Sequence, residues 1–174
     1  MKKAVAVLAL AFSLAACSSK PPDPDLQFAT VGFVLQLPPG MQAALDAIAP
    51  GFQTVRTDSF RSDISQASAL SSGSLQAMFA TIGDFDGDGT QDVVMEGAVP
   101  GDSALQVIAI MNGKTPKAIE VARYPVYDAD AVGLYISKPT GGRHGSFEVV
   151  NYPDASMLYT YRNGAFVGTS YRSN

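Results

Sequence analysis

The sequence predicts an α+β fold, mainly an antiparallel β-sheet of about seven short strands in hairpins, with a short N-terminal helix packed on one face. Three observations support this class. Short β-prone stretches dominate the chain from Leu75 onward, close turns separate them, and one earlier stretch has the apolar spacing of a helix. No repeat with a period of about 20 to 50 residues is visible, so a repeat architecture is not expected.

A strand and then the helix are the first predicted elements. The stretch TVGFVLQLPPG, residues 30–40, contains a β-prone run that its prolines end. Four apolar residues then follow the i, i+3, i+4, i+7 spacing of a helix: Met41, Ala44, Leu45 and Ile48. Pro50-Gly51 ends this segment, which we expect to bury its apolar stripe in the core.

The remaining elements are predicted as strands that pair through turns. LQAMFATI and DVVMEGAV flank an acidic loop, and ALQVIAIM and AIEVARY flank Asn112-Gly113, a favoured hairpin dipeptide. VGLYISK and SFEVVNY are separated by the glycine-rich PTGGRHG. SMLYTYR and AFVGTSY bracket Asn163-Gly164 and form the clearest predicted hairpin.

The N-terminus has the layout of a secretory signal. Two lysines precede an apolar run, Ala4 to Leu14, which is shorter than the about 20 residues that span a bilayer. The following Leu14-Ala15-Ala16-Cys17 resembles the lipobox of bacterial lipoproteins. This resemblance implies a signal peptide over 1–16, lipidation of Cys17 and, because Ser18 rather than Asp follows, sorting to the outer membrane.

The cysteine count and the net charge limit which covalent links and which partners are expected for the rest of the chain. Cys17 is the only cysteine, so no disulfide can form within the chain. Residues 17–26, with SSKPPDPDLQ, are expected to form a lipidated, flexible tether, and 27–174 a single globular domain. The net charge is −4 before Lys2 and Lys3 are removed, and no basic stripe is present, so nucleic acid is not an expected partner.

The loop DFDGDGTQD, residues 84–92, is the densest group of candidate ligands. Its four carboxylates stand at positions 1, 3, 5 and 9: Asp84, Asp86, Asp88 and Asp92. Gly89 at position 6 permits a sharp turn, and Thr90 at position 7 would present its backbone carbonyl. Hard cations such as Ca²⁺ take oxygen ligands, so we expect a calcium site here.

The spacing discriminates among calcium loops. An EF-hand needs a glutamate at position 12, where this chain has Met95, and dockerin-like loops also need a polar residue there and a following helix. IGDFDGDGTQDVVMEG instead resembles the FG-GAP or VCBS motif of integrin-type propeller blades. The resemblance implies side-chain ligation by the four aspartates, carbonyl ligation by Thr90 and a structural Ca²⁺. It occurs once, and a propeller needs at least about four blades, so only the loop and its hairpin are inferred.

No catalytic constellation is evident. Gly101 to Leu105, GDSAL, resembles the nucleophile motif of SGNH hydrolases, but Ser103 lies mid-chain and the only histidine, His144, lacks that family's preceding aspartate. Asp128 and Asp130 are weak candidates for a second ion. Four tyrosines could form a recognition face for protein or glycan, although packing on the last hairpin explains them as well: Tyr152, Tyr159, Tyr161 and Tyr171.

We therefore expect a non-enzymatic, calcium-stabilised binding or structural module. Its place would be the outer membrane, lipid-anchored and facing the periplasm, with a protein or glycan as its partner. One alternative is a lipoprotein resembling the periplasmic inhibitors of lysozyme, for which Ser137 to Gly145 is the only stretch that could plug an active site. A hydrolase that uses Ser103 is the other alternative.

Overall fold

Antiparallel β-sheet dominates the computed structural model, which describes residues 20–29, 32–64, 78–125, 132–137, 145–151 and 155–171. These residues contain the α-helix α1 (Pro39–Ile48), a 3₁₀ turn, Thr57–Ser59, and further helical residues at 62–64. The strands within the same residues are β1 (Asp25–Ala29), β2 (Gly32–Gln36), β3 (Gln53–Thr54), β4 (Ala80–Gly83), β5 (Asp92–Ala98), β6 (Ala104–Met111), β7 (Lys117–Pro125), β8 (Leu134–Ser137), β9 (Ser146–Asn151), β10 (Ala155–Arg162) and β11 (Ala165–Tyr171).

The prediction of a mainly antiparallel sheet is confirmed, but the expected number of strands is too low. β1 begins at Asp25, inside the segment expected to be a tether, and pairs with β2 as a hairpin. β3 has two residues and too little sequence for a periodic pattern. Both strands depend on pairing with a neighbour rather than on their own residue pattern, which is why they were not predicted.

Two larger sheets contain most of the strands. One has the order β3-β5-β6-β7, with β4 also paired to β5, and the other has the order β11-β10-β9-β8. A bulge between Val107 and Ile108 shifts the register of β6 against β7. β3 approaches β5 so closely that a Cβ on Gly97 would lie 2.1 Å from the Gln53 carbonyl oxygen, so this position requires glycine.

Buried side chains lie on both faces of the five-stranded sheet. On one face, Val93 and Met95 share a cluster with Met41 and Leu45 of α1, called here the helix-side cluster. On the other face, the inter-sheet cluster joins the five-stranded sheet to the four-stranded sheet, and its buried members are Phe85, Val94, Val107, Ala109, Met111, Ile136, Phe147, Val149 and Tyr159. Burial on both faces explains why β5 and β6 do not alternate between apolar and polar residues, and the polar side chains in these strands, Asp92, Glu96 and Gln106, are buried too.

The apolar stripe predicted for α1 is correct except at its end. Met41 and Leu45 are buried, whereas Ile48, expected in the core, is 48% exposed. The helix ends at Ile48, and the Ala49 amide still donates to the Leu45 carbonyl as the chain leaves helical geometry. Ala49 therefore takes the buried position that the helical spacing assigned to Ile48.

No helix within the described residues combines the length and the apolar character needed to cross a membrane.

Candidate metal centre

The acidic loop connects two paired strands. β4 ends at Gly83, β5 begins at Asp92, and these two residues are register partners in the sheet. Gly87 and Gly89 have φ of +81° and +85°, a backbone conformation that favours glycine. The strand–loop–strand context predicted from the sequence is therefore present, and its sharp turn depends on these two glycines.

Three of the predicted ligands lie together. Asp84, Asp86 and Asp88 each offer a carboxylate oxygen, and these three oxygens lie within 4.8 Å of one another. Asp86 and Asp88 are exposed and Asp84 is half-buried, so the group is open to solvent on one side. Such a set of carboxylate oxygens has the chemistry that a hard divalent cation prefers.

Backbone amides of the loop orient these carboxylates. Gly87 N–H and Gly89 N–H donate to the two oxygens of Asp84 at 2.8 and 3.1 Å. Asp88 N–H donates to Asp86 Oδ1 at 3.1 Å, and Thr90 N–H donates to Asp88 Oδ1 at 2.7 Å. A carboxylate oxygen has more than one acceptor site, so these bonds fix the side chains and still leave lone pairs for a cation.

Thr90 is buried and contacts both the loop and the end of β6. Its hydroxyl lies 2.6 Å from Asp88 Oδ1 and within hydrogen-bond reach of the Asn112 carbonyl oxygen. The single hydroxyl proton can satisfy one of these acceptors at a time. The Thr90 hydroxyl, followed by the Thr90 amide, lowers the pKa of Asp88 and so keeps that carboxylate ionised.

Asp92 is placed differently from the other three aspartates. It is fully buried, its Oδ2 accepts from the Phe85 amide at 2.9 Å and its Oδ1 accepts from the Asn112 amide at 2.8 Å. Burial raises the pKa of Asp92 to about 6, although both amide bonds oppose that rise. The structure thus does not bring Asp92 into the group of three, and its carboxylate ties the loop to β6.

Phe85 anchors the loop in the inter-sheet cluster. Its ring packs edge-on against Phe147 and Phe166, with centroid distances of 5.9 and 6.0 Å. A Cβ on Gly145, which has φ +71°, would lie 2.8 Å from the Phe85 carbonyl oxygen, so the chain approaches closely on that side too. The sequence places Phe85 between Asp84 and Asp86 but does not reveal which sheet its ring contacts.

Asn112 is a site residue that the sequence did not identify. The dipeptide Asn112-Gly113 predicted only a turn. Asn112 is, however, 1% exposed and forms hydrogen bonds with three different residues. Its amide donates to Asp92, its carbonyl accepts from Thr90, and its Nδ2 donates to the Pro22 carbonyl at 3.0 Å. No local pattern signals these contacts, because the partners lie 20 to 90 residues away in the chain.

A groove of about 700 Å³ adjoins the loop. It is lined by the loop residues Asp88 and Thr90, by Met41 at the start of α1, and by Lys20, Pro22 and Lys114. Residues expected to belong to a flexible tether therefore form one wall of a groove beside the acidic loop.

Several other predicted residues lie outside the described part of the chain. These are Cys17, Asp128, Asp130, His144, Tyr152 and most of the stretch from Ser137 to Gly145. Ser103 is described and exposed, in the turn between β5 and β6. Its neighbour Asp102 accepts hydrogen bonds from the Ala104 amide, Gln106 and Arg123.

Two of the four tyrosines are accounted for by packing. Tyr159 is buried, stacks on Phe147 at 5.3 Å, and its hydroxyl lies 2.9 Å from that of Tyr124. Tyr161 packs edge-on against Phe166 at 5.1 Å. Of the four tyrosines considered as a recognition face, these two serve the interior of the last hairpin.

No protein-family model, curated protein or solved structure matches this chain. The candidate metal centre therefore depends on the donor geometry described above.

Proposed function

We propose that this protein is a non-enzymatic, calcium-stabilised binding or structural module of a bacterial outer-membrane lipoprotein. The observation that carries the calcium proposal is the convergence of oxygens from Asp84, Asp86 and Asp88 within 4.8 Å at the turn between β4 and β5. Unshielded carboxylates at that range repel one another, and a bound divalent cation would attract each of them and so offset this repulsion.

The remaining proposed ligands are Asp92 and the carbonyl of Thr90. In the proposed holo form Asp92 keeps its amide bonds and contributes a free lone pair, since each of its oxygens accepts one amide here. When bound, the ion would supply positive charge that holds the turn closed. The role of these residues would be structural, because the loop joins two adjacent strands of one sheet.

The arrangement around Ser103 favours a non-enzymatic role. The nearest carboxylate in sequence, Asp102, is engaged by a backbone amide and by the side chains of Gln106 and Arg123. A carboxylate held in this way is poorly placed to orient a histidine for nucleophilic catalysis.

The anchor and the fold complete the proposal. The LAAC sequence supports lipidation at Cys17, and Ser18 supports an outer-membrane location that faces the periplasm. We also propose that α1 covers one face of the five-stranded sheet, because Met41 and Leu45 belong to the same buried cluster as Val93 and Ile108.

Thermal unfolding with calcium and with EDTA tests the calcium site. Extracytoplasmic calcium loops commonly have Kd of about 10⁻⁴–10⁻³ M, so about 10 mM Ca²⁺ should stabilise the fold by roughly 1.4–2.7 kcal/mol. For a domain of this size that is a rise in Tm of about 3–10 °C relative to EDTA. Asp86→Asn should remove most of the rise, because it deletes one exposed ligand charge.

Asp46→Asn is the matched control, since Asp46 is an exposed carboxylate on α1 that accepts a bond from Gln42. This variant loses the same charge and should keep the full response to calcium. A wild-type Tm that is equal in Ca²⁺ and EDTA would refute the site. An equal loss of response in both variants would show that the effect is only general charge screening.

A further inference from the structure

The segment that precedes β1 lies against the acidic loop. Residues 20–24, KPPDP, are named here the strap. The Pro22 carbonyl accepts a hydrogen bond of 3.0 Å from Asn112 Nδ2, and Pro24 is buried. The prolines restrict the backbone of the strap before it docks, which lowers the entropy lost on docking. The strap is therefore held to the domain at the position of the candidate metal centre.

Asn112 connects the strap to the loop. Its backbone amide and carbonyl bond to Asp92 and Thr90, and its side chain bonds to the strap. Because Asn112 is buried, its carboxamide has little freedom to turn without breaking one of these contacts. When Thr90 and Asp92 are held in place, they fix the backbone of Asn112. They thereby orient the carboxamide that donates to the strap.

Charge on the strap is balanced. Lys20 forms an ion pair with Asp23 at 3.1 Å, and Asp23 also lies 3.4 Å from the Gln91 amide of the loop. The strap thus adds almost no net charge near the loop. Its effect on cation binding therefore comes from ordering Asn112 and not from charge repulsion between the strap and the ion.

We propose that the strap and the calcium loop are coupled: ion binding between Asp84 and Asp92 favours docking of residues 20–24 through Asn112, and docking in turn strengthens ion binding. The coupling rests on the calcium site proposed above. It is reciprocal by thermodynamic necessity, because both events order the same residues.

Docking of the strap changes how far the domain stands from its proposed anchor. With the strap undocked, residues 17–24, which precede β1, could extend to about 26–29 Å. Lys20 follows Cys17 by three residues, a span of about 10 Å at most, so a docked strap would hold the calcium loop close to the lipidated cysteine. Calcium would then select between a domain held near the bilayer and one on a long tether.

Calcium titration of the full chain in detergent, by calorimetry and ¹⁵N NMR, tests this coupling. Replacement of residues 20–24 by Gly-Ser-Gly-Ser-Gly removes the prolines and the ion pair without a change in net charge. Asn112→Ala removes the carboxamide and keeps the backbone bonds of residue 112. Each change should weaken calcium binding by about fivefold or more. In wild type, calcium should also shift the Asn112 side-chain amide signal, and the strap replacement should abolish that shift.

Arg56→Ala with Asp58→Ala is the matched control, because it also deletes an exposed, neutral ion pair. Its calcium affinity should change by less than about twofold.

Unchanged affinity in the strap replacement, with a changed Asn112 side-chain signal, would overturn the coupling. An Asn112 signal that is the same in the strap replacement and in wild type, both in EDTA, would overturn docking of the strap. Absence of calcium binding in wild type would overturn the proposed function and the coupling with it, whereas the EDTA comparison would still report on docking.

Discussion

Glu96 is a carboxyl group in the interior between the two larger sheets. It is fully buried, and neither of its oxygens has a hydrogen-bond partner among the described residues. It follows Val94 by two positions on β5 and pairs with Val107, and both valines belong to the inter-sheet cluster. Burial raises the pKa of Glu96 well above its ordinary value of 4.5, so the neutral acid is the form compatible with the fold.

Replacement of Glu96 by glutamine should therefore change how stability depends on pH. A carboxyl group whose pKa is raised by folding contributes stability that is fully present below pH 4.5 and is lost as pH rises through the pKa of the folded state. Glu96→Gln lacks this loss, so its advantage over wild type should grow above pH 4.5 and reach about 1–3 kcal/mol at neutral pH. Urea unfolding of both proteins at pH 4.5, 6 and 7.5 measures the difference. An advantage that does not vary with pH would contradict the assignment.

At the scale of elements, the loop between β4 and β5 is fixed at its ends and open at its tip. Asp92 holds the C-terminal end to β6 through the Asn112 amide, and Phe85 holds the N-terminal end in the inter-sheet cluster. The tip from Asp86 to Gly89 is exposed. This arrangement presents the carboxylates to solvent on a base that cannot move without disturbing the core.

Phe85→Ala should destabilise the protein by about 3–4 kcal/mol, because it empties a buried aromatic position between two sheets. The anchored end of the loop would loosen, so calcium affinity should fall as well. Val167→Ala on β11 is a control at an apolar residue that is 51% exposed, and it should cost less than about 0.5 kcal/mol. Chemical denaturation of both variants tests this prediction, and equal costs would show that Phe85 is not an anchor.

For the whole molecule, the five-stranded sheet is the central layer and connects the other parts. Its two faces contribute to separate buried clusters, one with residues of α1 and one with the four-stranded sheet. The first described residue of the helix-side cluster in chain order is Leu35 of β2. Cys17 stands three residues before the strap in the chain, so we expect the anchor and the folded domain to be separable.

Cys17→Ser should therefore release the protein from membranes without altering its fold. A lipidated cysteine attaches the chain through its acyl groups, and serine cannot carry the same thioether-linked lipid. Fractionation of cells should move the variant from the membrane fraction to the soluble one, and labelled fatty acid should be incorporated only into wild type. The Tm of the two proteins should agree within about 2 °C. Retention of Cys17→Ser in membranes would contradict anchoring at this residue.

Local sequence determined the elements that depend on near neighbours. Asn163-Gly164 has the positive φ values, 51° and 85°, that its predicted hairpin turn requires, and β10 pairs with β11 across it. The aspartates of the acidic loop and its glycines are close in sequence, so their spacing alone indicated a tight turn with convergent carboxylates. The helix was likewise predicted from its apolar spacing, apart from Ile48 at its end.

Only the tertiary structure decided which segments meet. The Asn112-Gly113 dipeptide predicted a turn, but the contact of Asn112 with Pro22 spans 90 residues and depends on how the strap lies on the folded domain. Phe85 and Glu96 entered the interior because a second sheet covers that face of β5, which no residue pattern of β4 or β5 reveals. Short-range spacing determines the conformation of a turn and the set of ligands that it offers. Burial of apolar surface between distant segments determines what that turn is attached to, and this is a property of the whole chain.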